Sequence, residues 1–292
     1  MNFELVSKFF PKGDQPQAIK QLVDGLKDMG YRLTSPITCA HRFVFGGKKF
    51  PGAVIVDQHV LKELEALAKF APLHMPPALA FLRAAQVQMP DATITGHFDT
   101  AFHHSIPKIN QAFALPERYY QEGLRRFGFH GLSYAYISQQ LPKLTRKANG
   151  RWIIAHLGSG ASLCGIINRQ SQICTMGFSP LDGLPMASRS GHIDPGVIIH
   201  LLRNEKLNID ALEHLLYKKS GLLGLSGQTG DWEKLHKLRD DKSKFAQAYF
   251  IEQIVQHIGK ITAHLQGVDG IVFTGGIGQH DFHCMNSILE KL

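Results

Sequence analysis

The amino-acid sequence predicts an α/β protein, because short apolar runs typical of strands alternate with longer segments that have the apolar spacing of helices. Strands are expected within His41–Phe50 and Ala92–His103, in the pair Trp152–Ala155 and Ser162–Ile167, and at Ile271–Thr274. Helices are expected at Leu61–Phe70, from the proline-rich turn after Ala71 to about Val87, from Ser133 to Leu141, and at Val197–Leu202, Ile209–Tyr217 and Lys244–Leu265.

Composition narrows the class of protein. The 292 residues are 44% hydrophobic and 19% charged, which is typical of a soluble globular chain of one large or two modest domains. No apolar run is long enough for a membrane span and no signal-peptide pattern is present, so we expect a cytoplasmic protein with no membrane partner. The four widely spaced cysteines indicate reduced thiols. The net charge of +8 suits anionic ligands, but the basic residues are scattered and predict no nucleic-acid partner.

Arg151–Gly165 contains the first candidate site, a predicted hairpin with Gly158, Ser159 and Gly160 at its turn. Glycines let an anion approach backbone N–H groups, and His156 and Ser159 add polar groups to the same turn. The same pattern is also that of an ordinary hairpin turn, and this stretch alone favours the ordinary turn.

Three further residues are candidates for binding a metal ion or an anion. Asp99 follows a predicted strand beside Thr100, where it is either a metal-binding carboxylate or a turn or helix-capping residue. His130 precedes a helix that Ser133 is expected to cap, and it is either an anion donor or a capping or core histidine. Met176–Gly196 is a long irregular loop in which Arg189 is the expected anion ligand.

The predicted strand Ile271–Thr274 is followed by a turn containing Gly275, Gly276 and Gly278. A strand, a glycine turn and a helix N-terminus can hold the phosphates of a nucleotide, and the same signal also marks a tight turn.

Residues 1–26 differ from the remainder of the chain. Phe9–Leu26 has a Pro/Gly turn and a predicted helix from about Gln15, and it resembles the N-terminus of the helicase subunit of nucleotide-excision repair. No P-loop follows, so we interpret residues 1–26 as a helical extension of different origin.

From about His41 to the C-terminus the chain resembles the acetate and propionate kinase family. Eight motifs occur in family order: HRxVxGG, FAPLHxP, FDTAFH, RRFGFHG, HLGxGxSL, MGxxPLxGLxMxxRSGxIDP, SGLLGLSG and VFTGGIG. The resemblance implies the two-domain fold of the sugar kinase–Hsp70–actin superfamily, which is ribonuclease H-like. It assigns residues 27–98 to a first domain and residues 99–292 to a second, nucleotide-binding domain.

The resemblance also implies the reaction, in which ATP and acetate give acetyl phosphate and ADP by reversible in-line transfer with Mg²⁺. Arg42 and Arg189 match the two active-site arginines, and an arginine can make bidentate contacts to carboxylate or phosphate. Asp99 matches a carboxylate near the magnesium ion, and His130 matches the histidine that contacts the transferred phosphoryl group. A homodimer is also implied.

The resemblance supplies binding residues as well. It assigns Arg42 and His74 to the acetate site. It also assigns an apolar pocket around the acetate methyl group, made by Val44, Leu73, Phe129 and Pro180. The nucleotide-binding residues that the resemblance implies are His156, Leu157, Gly158, Ser159, Gly160, Asp231, Trp232, Glu233, Gly275, Gly276, Ile277 and Gly278. In this assignment Trp232 stacks on the adenine.

The chain departs from the family pattern in several places. A phosphate-binding Asn-x-Gly-Ser-Ser-Ser turn and a later magnesium-associated glutamate do not occur in it, so we expect a chain truncated at both ends with an incomplete first domain. Ser159 stands where the family has Asn, and Glu233 stands where many members have Arg. The alternative to an active kinase is therefore an inactive truncated or fused paralogue that retains nucleotide binding.

Overall fold

The computed structural model describes residues 38–292 and divides them into two compact units. The smaller unit holds 38–43 and 54–97, and the larger holds Val44–Ala53 and Phe98–Leu292. The segment Val44–Ala53, assigned to the first domain from sequence, thus belongs to the larger unit. The extension predicted at residues 1–26, with its helix from about Gln15, lies outside the described residues.

Among its described residues, the smaller unit combines three strands with two α-helices. The strands are β1 (Thr38–Phe43), β2 (Val54–Ile55) and β3 (Thr93–Phe98), in the order β1-β3-β2, with β2 antiparallel to β3. Helix α1 (Gln58–Leu67) is capped by Asp57, whose carboxylate accepts the N–H of Val60 at 2.7 Å. Helix α2 (Met75–Gln88) has proline in its first turn, where the missing N–H costs no hydrogen bond.

The larger unit is built on a four-stranded sheet of order β6-β5-β4-β7. The strands are β4 (Arg151–Leu157), β5 (Ala161–Ile167), β6 (Gln170–Cys174) and β7 (Gly270–Thr274). β4, β5 and β6 form an antiparallel meander, whereas β7 runs parallel to β4. The two strands predicted around the Gly158 turn are confirmed, and the parallel neighbour places the end of β7 beside that turn.

Helices surround this sheet in the larger unit. They are α3 (Lys108–Gln111), α4 (Glu117–Gln121), α5 (Gly131–Leu144), α6 (Pro195–Asn204), α7 (Ile209–Lys218), α8 (Gly221–Ser226), α9 (Trp232–Lys237), α10 (Asp241–Leu265), α11 (Gly275–His280) and α12 (Phe282–Leu289). Within the described range, none of the helices has the length and apolarity to cross a bilayer.

Helix α10 packs its apolar face against β4 and β5. Its buried side chains recur every three or four residues, at Ala246, Phe250, Ile254, Ile258, Ile261 and Leu265. A Cβ on Gly165 of β5 would lie 2.6 Å from Ile261, so glycine is needed there for the helix to approach the sheet. This packing holds the meander, and with it the turn at Gly158, in place.

Two local predictions are wrong. Ser133 lies in the first turn of α5 and does not cap it, because His130 is the N-cap residue and makes no side-chain cap bond. The glycines after β7 do not form a separate turn, because α11 begins directly at Gly275. The predicted irregular segment Met176–Gly196 contains neither helix nor strand until α6 begins at Pro195.

Candidate active site

The turn between β4 and β5 is the centre of the candidate site. The two strands stay in register to the end, with His156 opposite Ser162 and Leu157 opposite Ala161. The turn is closed by the N–H of Gly158, which donates to the carbonyl of Gly160 at 3.1 Å. Ser159 at the tip is exposed.

The start of α11 lies beside this turn, because β7 pairs with β4 and places Thr274 opposite His156. Gly275 has φ +80°, and a Cβ there would lie 2.5 Å from the carbonyl oxygen of Leu157. Only glycine fits this conformation and this close approach. The first N–H groups of α11 have no partners within the helix, so this glycine segment presents backbone donors beside the hairpin turn.

These segments open onto a cavity of about 910 Å³ in the larger unit. That volume is within the usual range for small-molecule and cofactor sites. The wall includes seven of the predicted nucleotide residues, namely Gly158, Ser159, Asp231, Trp232, Glu233, Gly276 and Ile277. His156, Leu157, Gly160, Gly275 and Gly278 support the glycine segments without lining the cavity.

Trp232 is buried at the far end of the cavity. Its ring packs against Phe250 with a centroid separation of 5.0 Å, and its indole N–H donates to the carboxylate of Asp281. Asp281 also accepts the N–H of Cys284 at 2.9 Å and so caps α12. Burial alone would raise the pKa of Asp281, but the hydrogen bonds from Cys284 and Trp232 outweigh it and lower the pKa.

Asp231 and Glu233 are exposed on the same side of the cavity. Asp231 caps α9 by accepting the N–H of Lys234, and this bond lowers the pKa of its carboxyl group. Glu233 pairs with Lys237 one helical turn later at 2.7 Å. Both acids therefore have local partners on their own helix.

His130 occupies a special backbone position at the start of α5. Its φ of 57° is uncommon for a residue with a Cβ, and such residues cluster at functional sites. The next residue, Gly131, donates its N–H to the carbonyl of Asp99 at 2.8 Å, and a Cβ on Gly131 would collide with that oxygen. The glycine thus lets the His130 turn pack directly on Asp99, the residue that follows β3.

The imidazole of His130 is held by a buried hydroxyl pair. Its Nδ1 lies 2.8 Å from Oγ of Ser162, and the same Oγ is hydrogen-bonded to the phenol of Tyr134. Burial raises the pKa of Tyr134 well above its usual value, so its hydroxyl stays protonated, and either hydroxyl of the pair can be the donor. The ring of His130 also stacks on His156 at 4.3 Å, and Nδ1 of His156 is 3.0 Å from Oγ of Ser133.

Arg189 reaches the hairpin turn from the long irregular loop. Its Nη1 donates to the carbonyl of Pro180 at 2.7 Å. Burial lowers the pKa of the Arg189 guanidinium, although an arginine remains protonated at neutral pH. A Cβ on Gly160 would lie 2.8 Å from Nη2 of Arg189 and 3.2 Å from Nε2 of His130. The cation and the imidazole therefore meet at Gly160.

Asp99 and Phe129 are buried beside the backbone turn at His130, with 2% and 1% of their surfaces exposed. The carbonyl of Phe129 accepts a hydrogen bond from Nε2 of His103 at 2.9 Å, and Nδ1 of His103 is 2.8 Å from Oγ of Ser171. Burial lowers the pKa of His103 to about 4, so this imidazole is neutral and donates through Nε2.

The described residues contain no cluster of three or more His, Cys, Asp and Glu side chains that would hold a metal ion. Mg²⁺ at phosphate-transfer sites is held by one or two carboxylates, with water and phosphate oxygens completing its coordination. Asp99 fits that mode, in which most ligands come from the nucleotide, and does not fit a site made by the protein alone.

The remaining predicted residues are divided between the units. Arg42, Leu73 and His74 lie in the smaller unit, and Val44 lies in the larger one. Arg42 and Leu73 are exposed, and His74 is the N-cap residue of α2 without a side-chain cap bond.

Sequence reasoning missed Ser162, Tyr134, Ser133 and Asp281 as parts of the site. Ser162 occurs in the HLGxGxSL motif, and Asp281 directly precedes an apolar helix, so a cap was recognisable there. Tyr134 reads from sequence as an ordinary helix residue, and only the packing of α5 brings its hydroxyl to Ser162.

Comparison with known proteins shows which family this chain matches. The sequence model of the Acetokinase family matches residues 4–292. An acetate kinase of Rickettsia typhi is 46% identical over 257 residues, covering 88% of this chain and 67% of the relative. An acetate kinase of Rickettsia felis is 43% identical over 278 residues, covering 94% and 72% respectively.

Solved structures give the same relationship. A propionate kinase from Francisella tularensis has a TM-score of 0.89 and 31% identity, covering 98% of this chain and 75% of that one. Porphyromonas gingivalis acetate kinase has a TM-score of 0.83 and 33% identity, covering 93% and 71%.

Proposed function

This chain belongs to the acetokinase family, and we propose from that premise that it transfers a phosphoryl group reversibly between ATP and acetate, giving ADP and acetyl phosphate. The observation that carries the proposal is the meeting of Arg189 and His130 at Gly160, at the edge of a cavity large enough for a nucleotide. Phosphoryl transfer needs this combination, because catalysis rests on positioning and on charge around the phosphoryl oxygens.

ATP is proposed to bind in the cavity with its phosphates at Gly158, Ser159 and Gly160 and at the start of α11. The open space at Gly276 would let the phosphates approach the first N–H groups of α11, and Gly158 lies beside them. The nucleoside is proposed to lie toward Asp231, Trp232 and Glu233. Trp232 packs against Phe250 and lines the cavity, and its stacking on the adenine stays a prediction.

His130 is proposed to donate a hydrogen bond from Nε2 to the transferred phosphoryl group. We propose that Tyr134 donates to Ser162, which would leave the proton of Ser162 free to be donated to Nδ1 of His130. A neutral imidazole that accepts at Nδ1 carries its own proton on Nε2. Nε2 faces Gly160 and Arg189, so the hydroxyl pair would hold the ring in the donating tautomer.

Arg189 is proposed to stabilise the charge on the phosphoryl oxygens in the transition state. Its guanidinium is largely buried and anchored to Pro180, so little reorganisation is needed when the charge develops. Arg42 is proposed to bind the carboxylate of acetate, with His74 as a second polar group of that site. Val44, Leu73, Phe129 and Pro180 are proposed to surround the methyl group, and such a pocket disfavours a longer acid by only about 1–3 kcal/mol per methylene.

Magnesium is proposed to accompany the nucleotide, with Asp99 as its protein carboxylate. When bound, the ion would neutralise charge on the phosphates. Asp99 is held at the end of β3 by the bond between its carbonyl and Gly131, which ties its position to that of His130.

A homodimer in the cytoplasm is proposed from family membership. Light scattering of the purified chain tests the assembly, since a dimer has twice the 32.5 kDa of one chain.

The function is tested by incubating the chain with acetate, ATP and Mg²⁺ and trapping acetyl phosphate with hydroxylamine. We expect product from the wild type and a loss of at least about a thousandfold in kcat for Arg189→Ala. Arg203→Ala, which removes an exposed arginine on α6, is the control and should match the wild type. Absence of product, or equal rates in both variants, contradicts the proposal. ATP binding without turnover would instead support the inactive paralogue.

A further inference from the structure

A second, smaller cavity of about 120 Å³ lies in the larger unit, apart from the nucleotide cavity. It is bounded by the turn at Gly47 and Lys48, the segment after β3, and the Arg125–Phe127 segment. The two cavities share no lining residue. The proposed kinase reaction assigns no role to this place.

Arg125 is the unusual residue of this cavity. Only 4% of its surface is exposed, although arginine is rarely buried without a charged partner. Its Nη2 donates to the carbonyl of Tyr120 at 3.0 Å, its Nη1 lies 3.4 Å from the Tyr120 hydroxyl, and the guanidinium covers the Tyr120 ring at 4.1 Å. Every one of these partners is neutral.

The hydrogen-bond capacity of Arg125 is also unfilled. A guanidinium has five N–H donors, of which these contacts use two. Its Nε has no partner at all. A buried cation whose donors lack an anionic acceptor is costly, because desolvation is not repaid. The uncompensated charge of Arg125 indicates that the side chain is suited to bind an anionic acceptor located in the cavity.

Other cations face the same space. Lys48 is exposed at the rim, and Arg126 lines the wall. Arg126 has one carboxylate partner, Asp182 at 3.5 Å, and lies over the ring of Phe113. Three positive side chains against that one carboxylate leave the cavity with an excess of positive charge.

We propose that this cavity is a binding site for a small tetrahedral oxyanion of the phosphate class. The terminal nitrogens of Arg125 each keep a second N–H, and a guanidinium suits phosphate oxygens bidentately. Lys48 supplies a further charge from the rim. The hydroxyl of Thr100, which accepts the N–H of Gly46 at 3.0 Å, retains its own proton as a donor in the cavity wall.

The anion would join three segments that surround the catalytic residues. Thr100 directly follows Asp99, and His103 in the same wall donates to the carbonyl of Phe129, which precedes His130. A bound anion therefore stabilises the backbone next to Asp99 and His130. It does so without contacting the nucleotide cavity.

The test uses inorganic phosphate as the probe and Arg189→Ala as the background, because that variant removes the main anion ligand of the proposed active site. Calorimetry should show that phosphate still binds at one site per chain. Lys48→Ala in the same background should weaken binding about tenfold, the usual effect of one charge-assisted hydrogen bond. Lys242→Ala, at an exposed lysine of α10 outside the cavity, should leave it unchanged.

Arg125 itself is tested without depending on a buried substitution. The Nε–Hε resonance of Arg125, assigned with the conservative variant Arg125→Lys, should shift on addition of phosphate. Sulfate should compete with phosphate, whereas acetate should not. No phosphate binding in the Arg189→Ala background, an unmoved resonance, or equal affinity in Lys48→Ala and Lys242→Ala overturns the proposal. Equal binding of acetate overturns the assignment to a tetrahedral anion.

Discussion

The two ends of the proposed nucleotide cavity differ in how the side chains named below are held. At the Gly160 end, His130 and Arg189 are fixed by partners far away in sequence, such as Ser162, Tyr134 and Pro180. At the Asp231 end, the exposed acids bind residues of their own helix, Lys234 and Lys237. His130 and Arg189 are thus tied into the core, whereas the exposed acids of the second end are held locally. The difference indicates that positional accuracy is concentrated where the phosphoryl group would be transferred.

Gly160→Ala should have the largest effect of the substitutions that compare these ends. The added methyl group would press on Nη2 of Arg189 and Nε2 of His130, displacing both groups by tenths of an ångström. We expect kcat to fall by up to about a hundredfold with the KM for ATP little changed, since a misplacement of about 1 Å has an effect of that size.

The matched control is Gly259→Ala, in the exposed interior of α10, where a Cβ meets nothing within 4 Å. It should raise the free energy of unfolding by about 0.5–1 kcal/mol and leave kcat unchanged. Steady-state kinetics and thermal unfolding give both readouts. If Gly160→Ala kept the wild-type kcat, the rate would not depend on the exact positions of Arg189 and His130 at Gly160.

Ser162→Ala and Tyr134→Phe should lower kcat by about tenfold each, because both remove the hydroxyl pair that sets the tautomer of His130. Since they act through one chain of bonds, their effects should not add in the double variant. Nitrogen NMR of labelled histidine should show loss of the Nε2–H tautomer of His130.

Ser162→Thr, which keeps the hydroxyl, serves as the conservative rescue for this pair. If Ser162→Ala lowers stability but leaves kcat, its pH profile and the His130 tautomer unchanged, the hydroxyls are structural and do not position the imidazole.

Asp281 should make a pH-dependent contribution to stability at the other end of the cavity. Its pKa is lowered in the folded state, so its stabilisation is fully present above the unfolded pKa of about 4. The contribution is lost as the pH falls through the lower, folded pKa. Melting temperatures of the wild type and Asp281→Asn should therefore differ most near pH 7 and converge below about pH 4. A difference that stays constant from pH 7 to pH 3 would contradict this assignment.

Glu233→Gln should have the smallest effect. The carboxylate is exposed and pairs with Lys237 across one helical turn, and such surface pairs contribute little. We expect no measurable change in melting temperature and less than about a threefold change in the KM for ATP. A tenfold change would mean that the Asp231 end recognises the nucleotide as strictly as the Gly160 end.

Much of the fold was predictable because its signals are local. The β4–β5 hairpin and β7 were recognised from apolar runs bounded by glycines, and the long loop around Arg189 from its turn-forming residues. The superfamily architecture came from the order of eight motifs and is confirmed by the solved relatives. The boundaries after β7 and before α5 were not predictable, since Gly275 enters a helix directly and His130 replaces Ser133 as the N-cap residue.

The sequence by itself determined which residue types stand at each turn: glycines at 158, 160 and 275, a histidine before α5 and an arginine in a long loop. Backbone freedom and side-chain charge are properties of single residues, so sequence can specify them. Only the tertiary structure decided what each group touches. The bond from His130 to Ser162 spans 32 residues and depends on the β4–β5 register and on the packing of α5. The burial of Trp232 against Phe250 was likewise decided by packing between separate helices.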